Sequence, residues 1–219
     1  MFRPLLLGLT ALTLSASAQQ PTLFEPNMGQ LDQQVEFFSG TGNNQIFFTK
    51  EAANVNVNGD IITFALPNGA KPEKIAGEGQ VGTAAVRPVT SEANTAAKPV
   101  QFRDVRYVSA FNGVDLIYAA QGKGLTYQFE VAPNSKPSAI HLRVEGAQSV
   151  TVQPDGGLLV QAKSGTIHWA RPFAYQEYLD KGKVAVPSKY VVKGNDVSFE
   201  LGKYNKNGML LIQPQSTAR

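Results

Sequence analysis

Cysteine is absent from the 219 residues. That excludes disulfides, thiolate metal sites and a lipid-modified cysteine after a signal segment. Histidine is scarce: His141 and His168 are the two in the chain, and no HxH or HExxH spacing joins them. A protein-caged transition metal therefore has too few ligands, no GxSxG elbow anchors a serine triad, and no cofactor is expected. No DxDxDG loop with a distant Glu is present to hold calcium, so Asp155-Gly156-Gly157 reads as a plain turn. The longest apolar run, Leu5 to Leu14, is shorter than the roughly 20 residues of a membrane-spanning helix. Repeats of fixed length are also missing, which argues against a propeller or solenoid. Although the net charge is +3 and the pI about 9.0, Lys and Arg are scattered singly, with no stripe to track a phosphate backbone, so nucleic acid is not an expected partner.

What is present begins with Met1 to Ala18: a basic residue at Arg3, a short apolar run, then small Ala16 and Ala18 before Gln19. This is the layout of a secretory signal peptide, and it predicts export to the periplasm, the cell surface or the medium. The remainder reads as strand. In Asn112 to Pro133, Val114, Leu116 and Tyr118, then Leu125, Tyr127, Phe129 and Val131, recur at a period of two, joined across Gln121-Gly122-Lys123-Gly124. Residues 54–57 and 60–66 form a second hairpin around Asn58-Gly59, a strong type I′ turn signal. No segment longer than a turn or two has the 3.6-residue period of an amphipathic helix. The expected fold is all-β, an antiparallel sandwich, with two packed β-layers or subdomains as a variant. The expected organisation is a signal peptide over 1–18, N-terminal strands over 19–66, a Pro/Ala/Gly-rich linker or long loop over 67–99, a main β-region over 100–214 and a tail over 215–219. The linker rests on composition: isolated Ile75, Val81, Val86 and Val89 are too few to offset the entropy of ordering it.

Several blocks resemble those of one family. They are Phe24-Glu-Pro-Asn-Met-Gly-Gln30, Asn112-Gly-Val-Asp-Leu-Ile-Tyr118, Leu125-Thr-Tyr-Gln-Phe-Glu-Val-Ala-Pro133, Ser138-Ala-Ile-His-Leu-Arg-Val-Glu-Gly-Ala147, Pro172-Phe-Ala-Tyr-Gln-Glu177, Val197-Ser-Phe-Glu-Leu-Gly-Lys-Tyr204 and Leu210-Leu-Ile-Gln-Pro214. In this order they are similar to the N-terminal domain that precedes the β-propeller repeats of large secreted bacterial proteins, the SBBP-repeat proteins. An Asn-Tyr-Phe-Ile-Gly-Asn-like block associated with residues 67–99 is lacking, and Arg219 ends the chain where repeats would follow. The resemblance implies a β-rich scaffold, export, and adhesion or scaffolding at the cell surface. It implies no catalytic residues.

The expected function is therefore binding or scaffolding without chemistry, the partner being an envelope or extracellular protein, or a polysaccharide. A carbohydrate-binding alternative rests on residues 168–178, where Trp169, Arg171, Tyr175 and Tyr178 set aromatic faces beside hydrogen-bonding groups. For Trp169 and Phe173 core packing is the favoured reading, and Tyr178 is the ring expected to be exposed. A glycosidase alternative rests on Asp115 and Glu130, on the two arms of the central hairpin. Strand addition is a further route, with residues 45–49 and 209–212 as candidate edges.

Overall fold

The computed structural model describes residues 22–40, 45–67, 70–83, 100–121 and 124–215. The expected signal peptide, the Gly122-Lys123 turn, residues 84–99 and most of the expected tail lie outside the described residues. The strands are β1 (Glu25–Pro26), β2 (Val35–Ser39), β3 (Ile46–Thr49), β4 (Ala52–Val57), β5 (Asp60–Ala65) and β6 (Lys74–Thr83). The central elements follow: β7 (Val100–Phe111), β8 (Val114–Gln121), β9 (Gly124–Val131), then, after a 3₁₀ turn at Pro137–Ala139, β10 (His141–Glu145). The last are β11 (Ser149–Val152), β12 (Leu158–Gln161), β13 (Thr166–Trp169), β14 (Pro172–Tyr178), β15 (Gly182–Val186), β16 (Ser188–Lys193), β17 (Asp196–Leu201) and β18 (Leu210–Pro214).

They form three antiparallel sheets. One has eight strands in the order β1-β2-β3-β4-β5-β10-β17-β16, another seven in the order β15-β14-β18-β9-β8-β7-β6, and a small one three, β11-β12-β13. The two large sheets pack face to face as an all-β sandwich. Their inner faces are aromatic: Phe48 of one meets Tyr118 and Tyr107 of the other at centroid separations of 5.7 and 6.4 Å, and Phe199 meets Phe129 at 5.6 Å. The Phe48–Tyr107 and Phe199–Phe129 pairs are edge-to-face, an arrangement that contributes about 1 kcal/mol each beyond the area buried. Strand alternation explains which residues lie inside. Tyr107, Leu116, Tyr118, Tyr127 and Phe129 point into the core and are buried, so Arg106, Ile117, Gln128 and Glu130 point to the outer face of the seven-stranded sheet.

Both expected hairpins are present. The first pairs β8 with β9 from Val114↔Val131 to Gln121↔Gly124. The second turns at Asn58 and Gly59, with φ of 53° and 102°, the positive pair a type I′ turn requires. Three expectations are corrected. Lys74–Thr83, inside the stretch expected as a linker, is a ten-residue strand paired with β7. Its glycines hide the pattern because a neighbour fills the space: a Cβ on Gly77 would lie 2.4 Å from the Phe102 ring. Next, β5 pairs directly with β10, through Arg143↔Ala65 and Val144↔Phe64, so the N-terminal strands complete a sheet with the main β-region. Finally, β3 and β18 are interior strands, each flanked on both sides, so residues 45–49 and 209–212 offer no bare edge.

Two buried hydroxyl arrangements contrast. Tyr127 of the seven-stranded sheet and Tyr190 of the eight-stranded sheet share a hydrogen bond of 2.7 Å, and the Tyr190 hydroxyl reaches the Ala170 carbonyl at 3.1 Å. Tyr118, fully buried among rings, has no hydrogen-bond partner for its hydroxyl among the described residues. Removing an unpartnered polar atom costs nothing, whereas removing one end of a buried bond strands the other. In urea titrations Tyr118→Phe is expected to be neutral or stabilising, and Tyr190→Phe to lose about 1–3 kcal/mol.

Candidate functional site

The outer face of the seven-stranded sheet carries a cleft. Strand register aligns Glu78, Asp104, Ala119 and Thr126 across β6, β7, β8 and β9, with Arg106, Ile117 and Gln128 in the adjacent row. Ala119 and Thr126 are short, so the sheet is hollow where they stand, and the longer Glu78, Arg106 and Gln128 rise around the hollow. One wall comes from the end of β13: because Trp169 turns inward, its neighbour His168 is exposed, and Ala170 lies beside it. The other wall is Gln213, Pro214 and Gln215, at the end of β18. Together these residues enclose about 530 Å³, within the range of small-ligand sites.

Arg106 organises the charge. Its Nε donates to Glu78 Oε1 at 2.6 Å, and its Nη1 donates to Asp115 Oδ2 at 2.9 Å and Glu130 Oε2 at 2.8 Å. Burial works against the charged guanidinium, but the hydrogen bonds to Glu130, Glu78 and Asp115 outweigh it and hold the Arg106 pKa above its ordinary value. The outer oxygens are also engaged. Asp115 Oδ1 accepts the Ser109 N–H at 2.8 Å, capping a bulge where Ser109 has φ of 54°, and Glu130 Oε1 accepts from Gln128 Nε2 at 2.9 Å. Asp115 and Glu130 do converge, as the hairpin predicts, but around a cation that holds both.

Asp104 differs from these. It has no hydrogen-bond or ion-pair partner among the described residues, although Glu78 faces it directly across the β6–β7 ladder. Partial burial and then repulsion from Glu78 raise its pKa, against the opposing pull of Arg103 and Arg106. The cleft thus contains one carboxylate whose charge is poorly compensated.

The aromatic segment is placed otherwise than a sugar platform requires. Trp169 is only 3 % exposed: it stacks on Phe64 at 4.7 Å, meets Tyr127 edge-on at 4.7 Å, and its indole N–H donates to the Leu125 carbonyl at 2.6 Å. Tyr175 is 4 % exposed, with Phe173 stacked at 5.2 Å and the Lys183 ammonium 4.4 Å from its ring centroid, so its faces are occupied. Those two expectations are corrected: neither ring is open to a ligand. Tyr178 is half-buried, its hydroxyl donating to Gln176, and Arg171 is exposed, its Nε donating to Gln215. Tyr178 lies seven positions along the strand from Arg171, about 23 Å, and they share no site. Arg106, Asp104 and Glu78 were not singled out from sequence. The signal available for Arg106 and Asp104 is their parity on β7, whereas Glu78 lies in a stretch whose composition reads as linker.

Asp104 generates a prediction. Its folded-state pKa lies above the unfolded value, so its contribution to stability is fully present below the unfolded pKa and is lost as pH rises through the folded pKa. Asp104→Asn should therefore unfold at higher denaturant than the parent at pH 7, with the gain disappearing as the pH is lowered through the carboxylate range.

Searches of curated proteins and of solved structures gave no match. A family model described as a domain of unknown function, DUF7948, matches residues 24–215, from the bridge that ties Phe24 to Phe102 to the far wall of the cleft at Gln215. The chain belongs to the DUF7948 family.

Proposed function

We propose that this chain is an exported, non-catalytic binding module that works at the bacterial cell envelope or outside the cell and takes its ligand in the cleft on the seven-stranded sheet. The observation that carries the reading is the state of the cleft's acids. General acid–base work by a carboxylate pair needs two groups whose environments push their protonation apart, with room between them for the reacting bond. Asp115 and Glu130 instead share one nitrogen of Arg106, and their remaining oxygens hold a backbone bulge and a glutamine. Such an arrangement fixes shape and charge. The hollow beside it is floored by β6 to β9 and walled by the ends of β13 and β18, as a preformed site would be. Export is supported by the layout of Met1 to Ala18, and envelope work by the resemblance to the leading domain of SBBP-repeat proteins. A polysaccharide ligand would have to be held by the amides of Gln128, Gln213 and Gln215 and by the acids, without a stacking ring.

The test is capture on envelope polysaccharides and on isolated envelope protein fractions, comparing the parent with Ala119→Phe, which fills the hollow from the outer face without touching the core. Saturable capture by the parent and its loss in the folded variant are expected. Capture that survives in Ala119→Phe would place binding elsewhere and remove the cleft from the account.

A further inference from the structure

We infer that the cleft receives a basic side chain, lysine or arginine, presented by an extended segment of a partner protein. The inference rests on the reading of the cleft as a binding site and names what enters it. Three observations converge. Among the lining residues are three carboxylates, Glu78, Asp104 and Glu130, against one guanidinium, Arg106; Asp115 adds a further negative charge to that guanidinium from the side. The hollow is therefore anionic on a chain whose net charge is +3. Within it Asp104 is the carboxylate with no ion pair among the described residues: Arg106 is committed to Glu78, Asp115 and Glu130, and Arg103 and Arg106 act on Asp104 only through space. The floor next to Asp104 is Ala119 and Ile117, an apolar strip suited to the methylene stem that precedes a lysine or arginine head. An ammonium or guanidinium placed between Asp104 and Glu78 relieves their repulsion. Thr126, Gln128 and Gln213 offer hydrogen-bonding groups on the side where the carrier's backbone would run.

The shape also speaks against a compact amine. An amino sugar has its charge on a ring bearing hydroxyls on most sides, so it would meet Ile117 and Ala119 with polar groups and lose hydration without replacement. A flexible apolar stem with a terminal charge matches the floor and the acid in turn.

The test uses the full purified chain with fluorescein-labelled, N-acetylated tetralysine amide, read by anisotropy at low salt and at about 0.15 M salt. Competitors are tetra-arginine, tetra-(Nε-acetyl-lysine) and a glucosamine tetramer. Saturable binding is expected, displaced by tetra-arginine and not by the other two. Asp104→Asn should weaken it about tenfold. Asp180→Asn, which removes the same charge from an exposed turn away from the cleft, should change it by less than about twofold. The denaturant midpoint of Asp104→Asn, measured on the same preparation, separates loss of binding from loss of fold. Equal losses in the two variants, displacement by the glucosamine tetramer, or absence of saturable binding would overturn the inference. If tetralysine fails while Ala119→Phe still abolishes envelope capture, only the ligand class falls. If both fail, the proposed function falls with it.

Discussion

The burial of Trp169 is the constraint on which the rest depends. Its indole lies where the three sheets meet: carried by β13 of the small sheet, stacked on Phe64 of the eight-stranded sheet, edge-on to Tyr127 of the seven-stranded sheet and hydrogen-bonded to Leu125 beside it. A large apolar ring with one donor suits such a junction, because the ring fills space between sheets and the N–H must find an acceptor once water is excluded. The Tyr127–Tyr190–Ala170 hydroxyl chain continues the junction to β16. Since side chains alternate along a strand, turning Trp169 inward turns His168 outward, and that places one wall of the cleft.

A second constraint is electrostatic. Arg106 stands on the outer face, surrounded by acids from three other strands, and only 18 % of its side chain is exposed. Partly buried charges are tolerated when they are paired and hydrogen-bonded. Glu78, Asp115 and Glu130 meet that condition. Asp104 does not, and partial burial beside Glu78 works against its charged form. Natural proteins violate local rules where function requires it, and here the violation lies in the hollow on the outer face of the seven-stranded sheet.

The sequence made the strands that alternate cleanly easy to read. The central hairpin and the Asn58-Gly59 hairpin carry their own turn chemistry and a period of two, and both are where the pattern puts them. β6 was hidden because the ring of Phe102 fills the space over Gly77, so a strand position looks like a linker glycine. The candidate site was legible only in fragments. Asp115 and Glu130 could be placed opposite each other within one hairpin, but Arg106 and Glu78 join them through the β6–β7 and β7–β8 registers, which no local pattern reveals. The aromatic run of 168–178 misled for a related reason: parity assigns its rings to faces, but what covers each face comes from Phe64, Tyr127 and Lys183, distant in sequence.

The most direct measurement exploits the fact that the chain has a single tryptophan. If Trp169 is the buried junction of the sheets, native fluorescence should be blue-shifted and resist quenching by acrylamide, and both properties should disappear in the same cooperative transition that abolishes the β-sheet circular dichroism. Red-shifted, readily quenched emission from the native protein would contradict the account, because it would put the indole in water and leave the cleft wall without its anchor.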